Sequence, residues 1–323
     1  MGKVKFVPKP ETLELLRESG NPINGLGENA VRRPSPFFWH PPDKHPFGDL
    51  QAESRKYSRK CPGAAEMFKE AYQHPELVPI SATKQLAEPV EFDKKMRQFA
   101  LANQADMVGV AAMNPLWVYE GYEINDPWVI ILGFAHRYDD IVQLPSNENN
   151  GIGVTDVGRQ YARGTQASFA LANWIRIQGY NARAFPGPAA DALLLIPPAI
   201  EAGFGELGKH GSLISSKYGS GFRLAGVTTD LPLLADNREE FGADDFCLNC
   251  QVCANACPPD AISNEKQLVR GENRWYVDFD KCIPYFVEAS SCGICIAVCP
   301  WTRPEVRPNL ITKMANRRLN KKG

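Results

Sequence analysis

The chain has 323 residues, 44% of them apolar and 23% charged, a composition that excludes a mostly disordered polypeptide. It is long enough to bury two cores and to be an enzyme. The formal net charge of −1 offers no basic field for a phosphate backbone, so nucleic acid is not an expected partner.

No run approaches the roughly 18–20 apolar residues that cross a bilayer, so no membrane partner is expected. The start, MGKVKFVPKPETLELL, lacks the apolar stretch and cleavage site of a secretory leader. Arg32-Arg33 is followed by PSPFFWHPP rather than an apolar run, and Phe6 stands where a myristoylation signal carries Ser or Thr. The expected location is the cytoplasm.

Residues 1–90 are rich in Pro, Gly, Asn and charge and read as an extended segment wrapped on another surface, with one short helix around PGAAEMFKEAYQ. Phe37, Phe38 and Trp39 are expected to pack rather than to form a lid. Cys61 is expected to be an ordinary semi-buried thiol.

From residue 91 to about 240 the pattern is that of an α/β core. Phe92, Met96, Phe99 and Ala100 fall at helical spacing, and MVGVAA and WVIILGF read as strands. A long helix runs from about Thr155, its expected N-cap, to Ile177 and is stopped by Gly179. NARAF and FRLAGVTTDLP supply further strands. Alternating strands and helices imply a sheet with helices packed on it, an α/β (α+β) fold. GIGVTD does not support a nicotinamide site, because Asp156 stands where the dinucleotide fingerprint needs its third glycine.

After LPLLADNREEFGADD a second domain, 241–323, begins. It holds eight of the nine cysteines: Cys247, Cys250, Cys253 and Cys257, then Cys282, Cys292, Cys295 and Cys299. The spacing C-x2-C-x2-C-x3-C, with Pro258 and Pro300 after the last member of each set, is that of a bacterial two-cluster ferredoxin. Three thiolates within seven residues wrap one face of an iron-sulfur cube, and the proline redirects the chain so that the fourth reaches the partner cube. Cys247, Cys250, Cys253 and Cys299 are thus assigned to one 4Fe-4S cluster, and Cys257, Cys282, Cys292 and Cys295 to the other. Disulfides do not suit such tight spacing in a chain without a secretion signal, and zinc does not require the swapped proline pattern. Nine residues, IPYFVEASS, separate Cys282 from Cys292, an insertion that a plain electron carrier does not need. The basic run from Lys313 to Lys322 reads as a solvated tail.

Residues 199–233, AIEAGFGELGKHGSLISSKYGSGFRLAGVTTDLPL, followed by the two-cluster domain, resemble the cobalamin-dependent reductive dehalogenases and their relative epoxyqueuosine reductase. The likeness covers about residues 91–303 and is most specific in GELGKHG, YGSGFRL, TTDLPL and the cysteines. It implies a nitroreductase-like core holding cobalamin in the base-off form, followed by the ferredoxin-like domain. It also implies an oxidoreductase that replaces the halogen of an organohalide by hydrogen, fed by an external reduced ferredoxin or flavoprotein. No D-x-H-x-x-G segment occurs, so no histidine of that motif is a lower cobalt ligand.

The same resemblance makes Tyr161, in GRQYARG, the proton donor and Arg223, in GFRLAG, the basic residue beside it. A free tyrosine has a pKa of about 10, and a guanidinium next to it stabilises the phenolate. The bland alternatives are a core tyrosine, on one helical face with Ser168, Ala172 and Ile175, and a strand-end salt bridge. Lys209, His210, Gly211, Ser212, Ser215, Ser216 and Tyr218 are the implied cobalamin contacts, since backbone N–H groups and hydroxyls suit corrinoid amides and a phosphate. Arg163 is read as a helix-surface charge.

Epoxyqueuosine reductases act on tRNA and use an aspartate in a D-S-A-P type segment. The corresponding stretch here is FPGPAAD, with Pro188 and Ala189 near the expected position and Asp191 close by. A non-catalytic carrier would use the clusters and leave Tyr161 and Arg223 idle. A cytoplasmic, catabolic enzyme fits best, and a pocket lined by Phe38, Trp39 or Trp117 would suit a haloaromatic.

Overall fold

The computed structural model describes residues 6–187 and 192–320. The first ninety residues are more helical than expected, with α1 (Pro10–Leu15), α2 (Gly48–Lys60) and α3 (Ala64–Ala71). α3 was legible as a helix in PGAAEMFKEAYQ. α2 was not, because among its described side chains Leu50, Gln51 and Ser54 alone are buried, the rest being mostly charged. One apolar residue gives no periodicity. Gln51 is held instead by a hydrogen bond from its side-chain amide to the carbonyl of His40, at 3.0 Å.

The core follows in chain order: α4 (Pro89–Ala102), β1 (Met107–Ala112), β2 (Trp128–Ala135), α5 (Tyr138–Ile141), α6 (Ile152–Ile177), β3 (Ala182–Phe185), α7 (Ile196–Glu201), β4 (Glu206–Leu207), β5 (Leu213–Ile214) and β6 (Phe222–Thr229). β1, β2, β6 and β3 form one sheet in that order, every pair antiparallel. Alternation along the strands separates two cores. Val110, Ile130, Leu132, Phe134, Ala225 and Val227 pack under α4 and α6, while Ala111, Val129, Ile131 and Phe222 pack with α7 on the opposite face.

α6 begins three residues before Thr155. Its first turn is closed from upstream, with Asn150 Oδ1 accepting from the N–H of Ile152 at 3.1 Å and Ser146 Oγ from that of Val154 at 3.0 Å. Thr155 is therefore not the N-cap, and its hydroxyl donates to the carbonyl of Pro62 at 2.9 Å, tying α6 to the segment before α3. The helix ends where expected, before Gly179 at a φ of 88°.

The cysteine-rich part contains α8 (Ala243–Asn249), α9 (Val252–Ala256), the hairpin of β7 (Gln267–Val269) and β8 (Glu272–Arg274), α10 (Phe279–Glu288), α11 (Ile294–Ala297) and α12 (Arg307–Asn320). Glu206 of β4 joins it to the core, its carboxylate accepting from the N–H groups of Phe241, Gly242 and Ala243 at 3.0, 2.8 and 2.8 Å. These are orphan donors at the start of α8, and a carboxylate there is doubly favourable.

The IPYFVEASS insertion lies in α10 and the turn after it. Ile283 and Val287 of α10 pack against Phe38, Phe47 and Leu50, and the Phe37 and Phe279 rings meet at 4.4 Å. The insertion thus gives the N-terminal segment its docking surface. Phe37 and Phe38 pack as expected, whereas Trp39 is half exposed. The basic tail is not solvated coil as far as Asn320. It forms α12, which buries Met314 against Phe241 and Trp301 and pairs Arg317 with Asp245 at 3.5 Å. Leu310, Ile311 and Met314 carry that face, a signal masked by the surrounding charge; Lys321 and Lys322 lie outside the described residues. Among the described residues no helix is long and apolar enough to cross a membrane.

Candidate active site and iron-sulfur sites

Cys247 in α8, Cys250 after it, Cys253 in α9 and Cys299 after α11 line one cavity, together with Lys209, His210, Phe246, Pro300 and Trp301. Burial foremost pushes the thiols of Cys247 and Cys299 up to about 12 and that of Cys253 up to about 11. The other four also converge. Cys257, Cys282 and Cys295 share an apolar cluster with Cys253 of the first set, Ala261 and Ile262, and Cys292 acts electrostatically on Cys282 and Cys295. Burial, and then the neighbouring thiols of Cys292 and Cys257, push Cys282 up to about 12 and Cys295 well above its ordinary value.

Among the described residues no three His, Cys, Asp or Glu side chains meet around a single ion. The first set of thiols lines a cavity, which suits a cube of iron and sulfide. Thiols this reluctant to ionise would be deprotonated by bound iron, so that cluster insertion would release their protons.

Tyr161 projects from α6 into a cluster formed by Cys61, Ala64, Leu144 and Ile296, with Cys295 of the second thiol set at its edge. Arg223 stands opposite Phe134 at the start of β6, and its guanidinium lies 5.4 Å from the centroid of the Tyr161 ring. Its Nε is buried without a hydrogen-bond partner. Gly187 permits this arrangement, because a Cβ there would come within 2.6 Å of the Leu224 carbonyl oxygen and 2.8 Å of Tyr161 Cδ1. Phe68 of α3 flanks the ring at 6.4 Å. Cys61 is buried, and desolvation raises its thiol pKa.

Two residues beside this pair were not singled out from sequence. His136, just past β2, directs Nδ1 to Asp156 Oδ2 at 2.5 Å, and Asp156 Oδ1 accepts from Gln160 at 2.8 Å and Arg159 at 3.0 Å. Burial would raise the Asp156 carboxyl, but the His136 hydrogen bond and charge, then Gln160 and Arg159, outweigh it and hold the group below the usual range. Burial, partly opposed by Asp156 and reinforced by the Arg223 charge, pushes His136 down to about 4. The available signal was GFAHRYDD, a polar run closing an apolar strand. Arg163 is no free surface charge either, since it pairs with Asp106 at 3.1 Å and donates to Gln160 at 2.7 Å.

The implied cobalamin contacts divide. Lys209 and His210 face the first thiol set; Lys209 is 1% exposed, its Nζ has no hydrogen-bond partner and lies 5.0 Å from the Trp275 ring. His210 Nδ1 accepts from the N–H of Ser212 at 3.2 Å, which leaves Nε2 to donate to Ser220 Oγ at 3.1 Å. Gly211 makes the turn between them at a φ of 75°. Ser215 Oγ accepts from the N–H of Lys217 at 3.1 Å, Ser216 donates to Glu239 at 2.9 Å, and the Lys217 ammonium lies 5.0 Å from the Tyr218 ring. None of these residues touches Tyr161 or Arg223 through a described contact. Trp117 lines a separate cleft of about 1160 Å³ with Trp275, whose lining includes neither Tyr161 nor Arg223. Pro188, Ala189 and Asp191, on which the tRNA-enzyme comparison turned, lie outside the described residues.

Residues 246–302 match the 4Fe-4S dicluster domain family. A tetrachloroethene reductive dehalogenase of Desulfitobacterium hafniense is 32% identical over 225 residues, covering 65% of this chain and 39% of that protein. An epoxyqueuosine reductase of Cyclobacterium marinum is 34% identical over 122 residues, 32% of this chain and 36% of that protein. A solved reductive dehalogenase, described as suggesting a mechanism for B12-dependent dehalogenation, superposes with a TM-score of 0.66 at 26% identity, over 84% of this chain and 40% of that one. The chain thus spans about two fifths of the length of the dehalogenases that it matches. It resembles the reductive dehalogenases over about two thirds of its own length, and its paired sets of thiols lie in the segment that matches the dicluster family.

Proposed function

We propose that this chain is an oxidoreductase that removes halogen from a small organohalide, R–X + 2 e⁻ + H⁺ → R–H + X⁻, with Tyr161 giving the proton. The observation that carries the reading is the guanidinium of Arg223 against the Tyr161 ring, 5.4 Å away, beside Cys295 of the second thiol set. Proton and electrons would then reach the substrate at one place. A guanidinium so placed stabilises the phenolate left when Tyr161 gives up its proton. The neighbouring Phe68 and Tyr72 offer aromatic faces suited to a haloaromatic.

Two 4Fe-4S clusters would relay single electrons, and a base-off corrinoid would supply the two-electron reduction of the carbon–halogen bond. Cys247, Cys250, Cys253 and Cys299 would hold one cluster; Cys257, Cys282, Cys292 and Cys295 the other. The buried, unpartnered Lys209 Nζ and Arg223 Nε are donors of the kind that corrinoid amide oxygens satisfy. Cys250 of the first set and Cys282, Cys292 and Cys295 of the second are only partly buried, which suits electron entry from a reduced ferredoxin or flavoprotein, in the cytoplasm.

Anaerobic reconstitution with iron, sulfide and hydroxocobalamin tests the reading. The expected product carries about eight irons and one corrinoid per chain and dehalogenates a halophenol. Tyr161→Phe is expected to keep both metals and lose about 100-fold or more in kcat. Equal turnover by Tyr161→Phe would remove Tyr161 as the donor.

A further inference from the structure

Beside Tyr161, two buried polar atoms have no hydrogen-bond partner among the described residues: His136 Nε2 and Arg223 Nε. They stand on one face of the sheet. Phe134 and Arg223 are paired across β2 and β6, and the ladder continues as the N–H of His136 donates to the Gly221 carbonyl at 2.8 Å. His136 follows Phe134 by two residues, so its side chain rises on the same side, diagonal to Arg223. α6 covers that face with Asp156 against His136 and Tyr161 against Arg223.

Asp156 decides which polar role His136 plays. Its side chain is fully buried and already accepts from Gln160 and Arg159, and a carboxylate can only accept. His136 Nδ1 therefore carries the proton, and Nε2 is a bare lone pair on a side chain only 1% exposed. Arg223 Nε is the opposite, a buried N–H with nothing to receive it. A buried orphan is costly, and two complementary ones side by side call for a group that accepts and donates at once.

We propose that His136 and Arg223 form a two-point cradle for one amide or hydroxyl group of a bound small molecule, its oxygen accepting from Arg223 Nε and its hydrogen donated to His136 Nε2. Asp156 is the positioning residue that keeps Nε2 free. The cradle rests on the reading of Tyr161 and Arg223 as the reaction site. It would also fix the plane of the guanidinium against Tyr161. The amide would be one of a corrinoid's peripheral carboxamides, and the hydroxyl that of a phenolic substrate.

His136→Leu removes the acceptor, His136→Gln restores one, and Asp156→Asn, nearly isosteric, no longer enforces the tautomer. Each variant is reconstituted and its iron counted, so that Asp156→Asn decides the matter if His136→Leu fails to fold. Hydroxocobalamin retention by equilibrium dialysis, and KM and kcat for a halophenol, are then measured. Retention weakened roughly ten- to a hundred-fold in His136→Leu and largely recovered in His136→Gln establishes the cradle as a corrinoid-amide site. A KM raised by that factor with retention unchanged establishes it as a substrate-hydroxyl site. Wild-type retention and KM in both His136→Leu and Asp156→Asn overturn the cradle, leaving Nε2 to an ordinary buried water. Wild-type protein that retains no corrinoid and turns over no halophenol overturns the underlying reading, and the cradle with it.

Discussion

Adding one methyl group at Gly187 or at Gly164 should have opposite consequences, although both glycines adjoin the Tyr161 helix and its sheet. At Gly187 a Cβ would sit 2.6 Å from the Leu224 carbonyl oxygen and 2.8 and 2.9 Å from Tyr161 Cδ1 and Cε1. The carbonyl belongs to the paired strand β6 and cannot retreat, so the Gly187 segment must move by about 0.8 Å, or Tyr161 by about 0.6 Å as well, to restore ordinary contact. Overpacking of this kind costs about 1–3 kcal/mol, and it strikes the ring whose distance from Arg223 matters. Displacing a reacting group by about 1 Å can cost about 100-fold in rate, so Gly187→Ala is expected to lower kcat by about ten- to a hundred-fold with iron content unchanged. At Gly164, in the next turn of α6, a Cβ would meet Ala225 and Phe134 at 3.5 Å, ordinary van der Waals contact. Gly164→Ala should therefore be neutral or stabilising by about 0.5–1 kcal/mol, because the unfolded chain has less conformational entropy to lose. Denaturant midpoints and single-turnover rates of the two variants make the comparison. Wild-type rate and stability in Gly187→Ala would refute the claim that the close approach to Tyr161 is constrained.

Cys299→Ser should lose one cluster, about four of eight irons, while Cys61→Ser keeps all eight, as counted by colorimetric iron assay. Met314→Ala is expected to cost about 2–5 kcal/mol, read as faster amide exchange throughout α12, because the side chain is 1% exposed against Phe241 and Trp301. The folded-state pKa of His136, about 4, lies below the unfolded value of about 6.5. Its contribution to stability is therefore present above pH 6.5 and lost as the pH falls towards 4, by about 3 kcal/mol at most. His136→Gln should flatten that part of the pH–stability curve, whereas an unchanged slope would mean that His136 is not buried in its neutral form.

What the sequence determined by itself was whatever its local spacing could express. Three of the first cluster's four thiols lie within seven residues of one another, so the C-x2-C-x2-C-x3-C-P pattern announced them without any fold, and the C-x2-C-x3-C-P ending of the second set repeats the signal. β1 and β2 were readable as unbroken apolar runs of strand length, buried on both faces, and most of α6 as a long helical stretch stopped by glycine. α2 and α12 were not, since each is anchored by few apolar side chains among many charges and gains its stability from the surface on which it docks. The purpose of the insertion between Cys282 and Cys292 emerged only once α10 was seen to carry the aromatic cluster of the N-terminal segment. Tyr161 and Arg223 could be named from the dehalogenase resemblance, but their proximity depends on α6 crossing β6. His136 and Asp156 were invisible as a pair for the same reason. They are twenty residues apart on a strand end and a helix start, and only the packing of α6 on the sheet brings a bare histidine nitrogen beside an unpaired arginine.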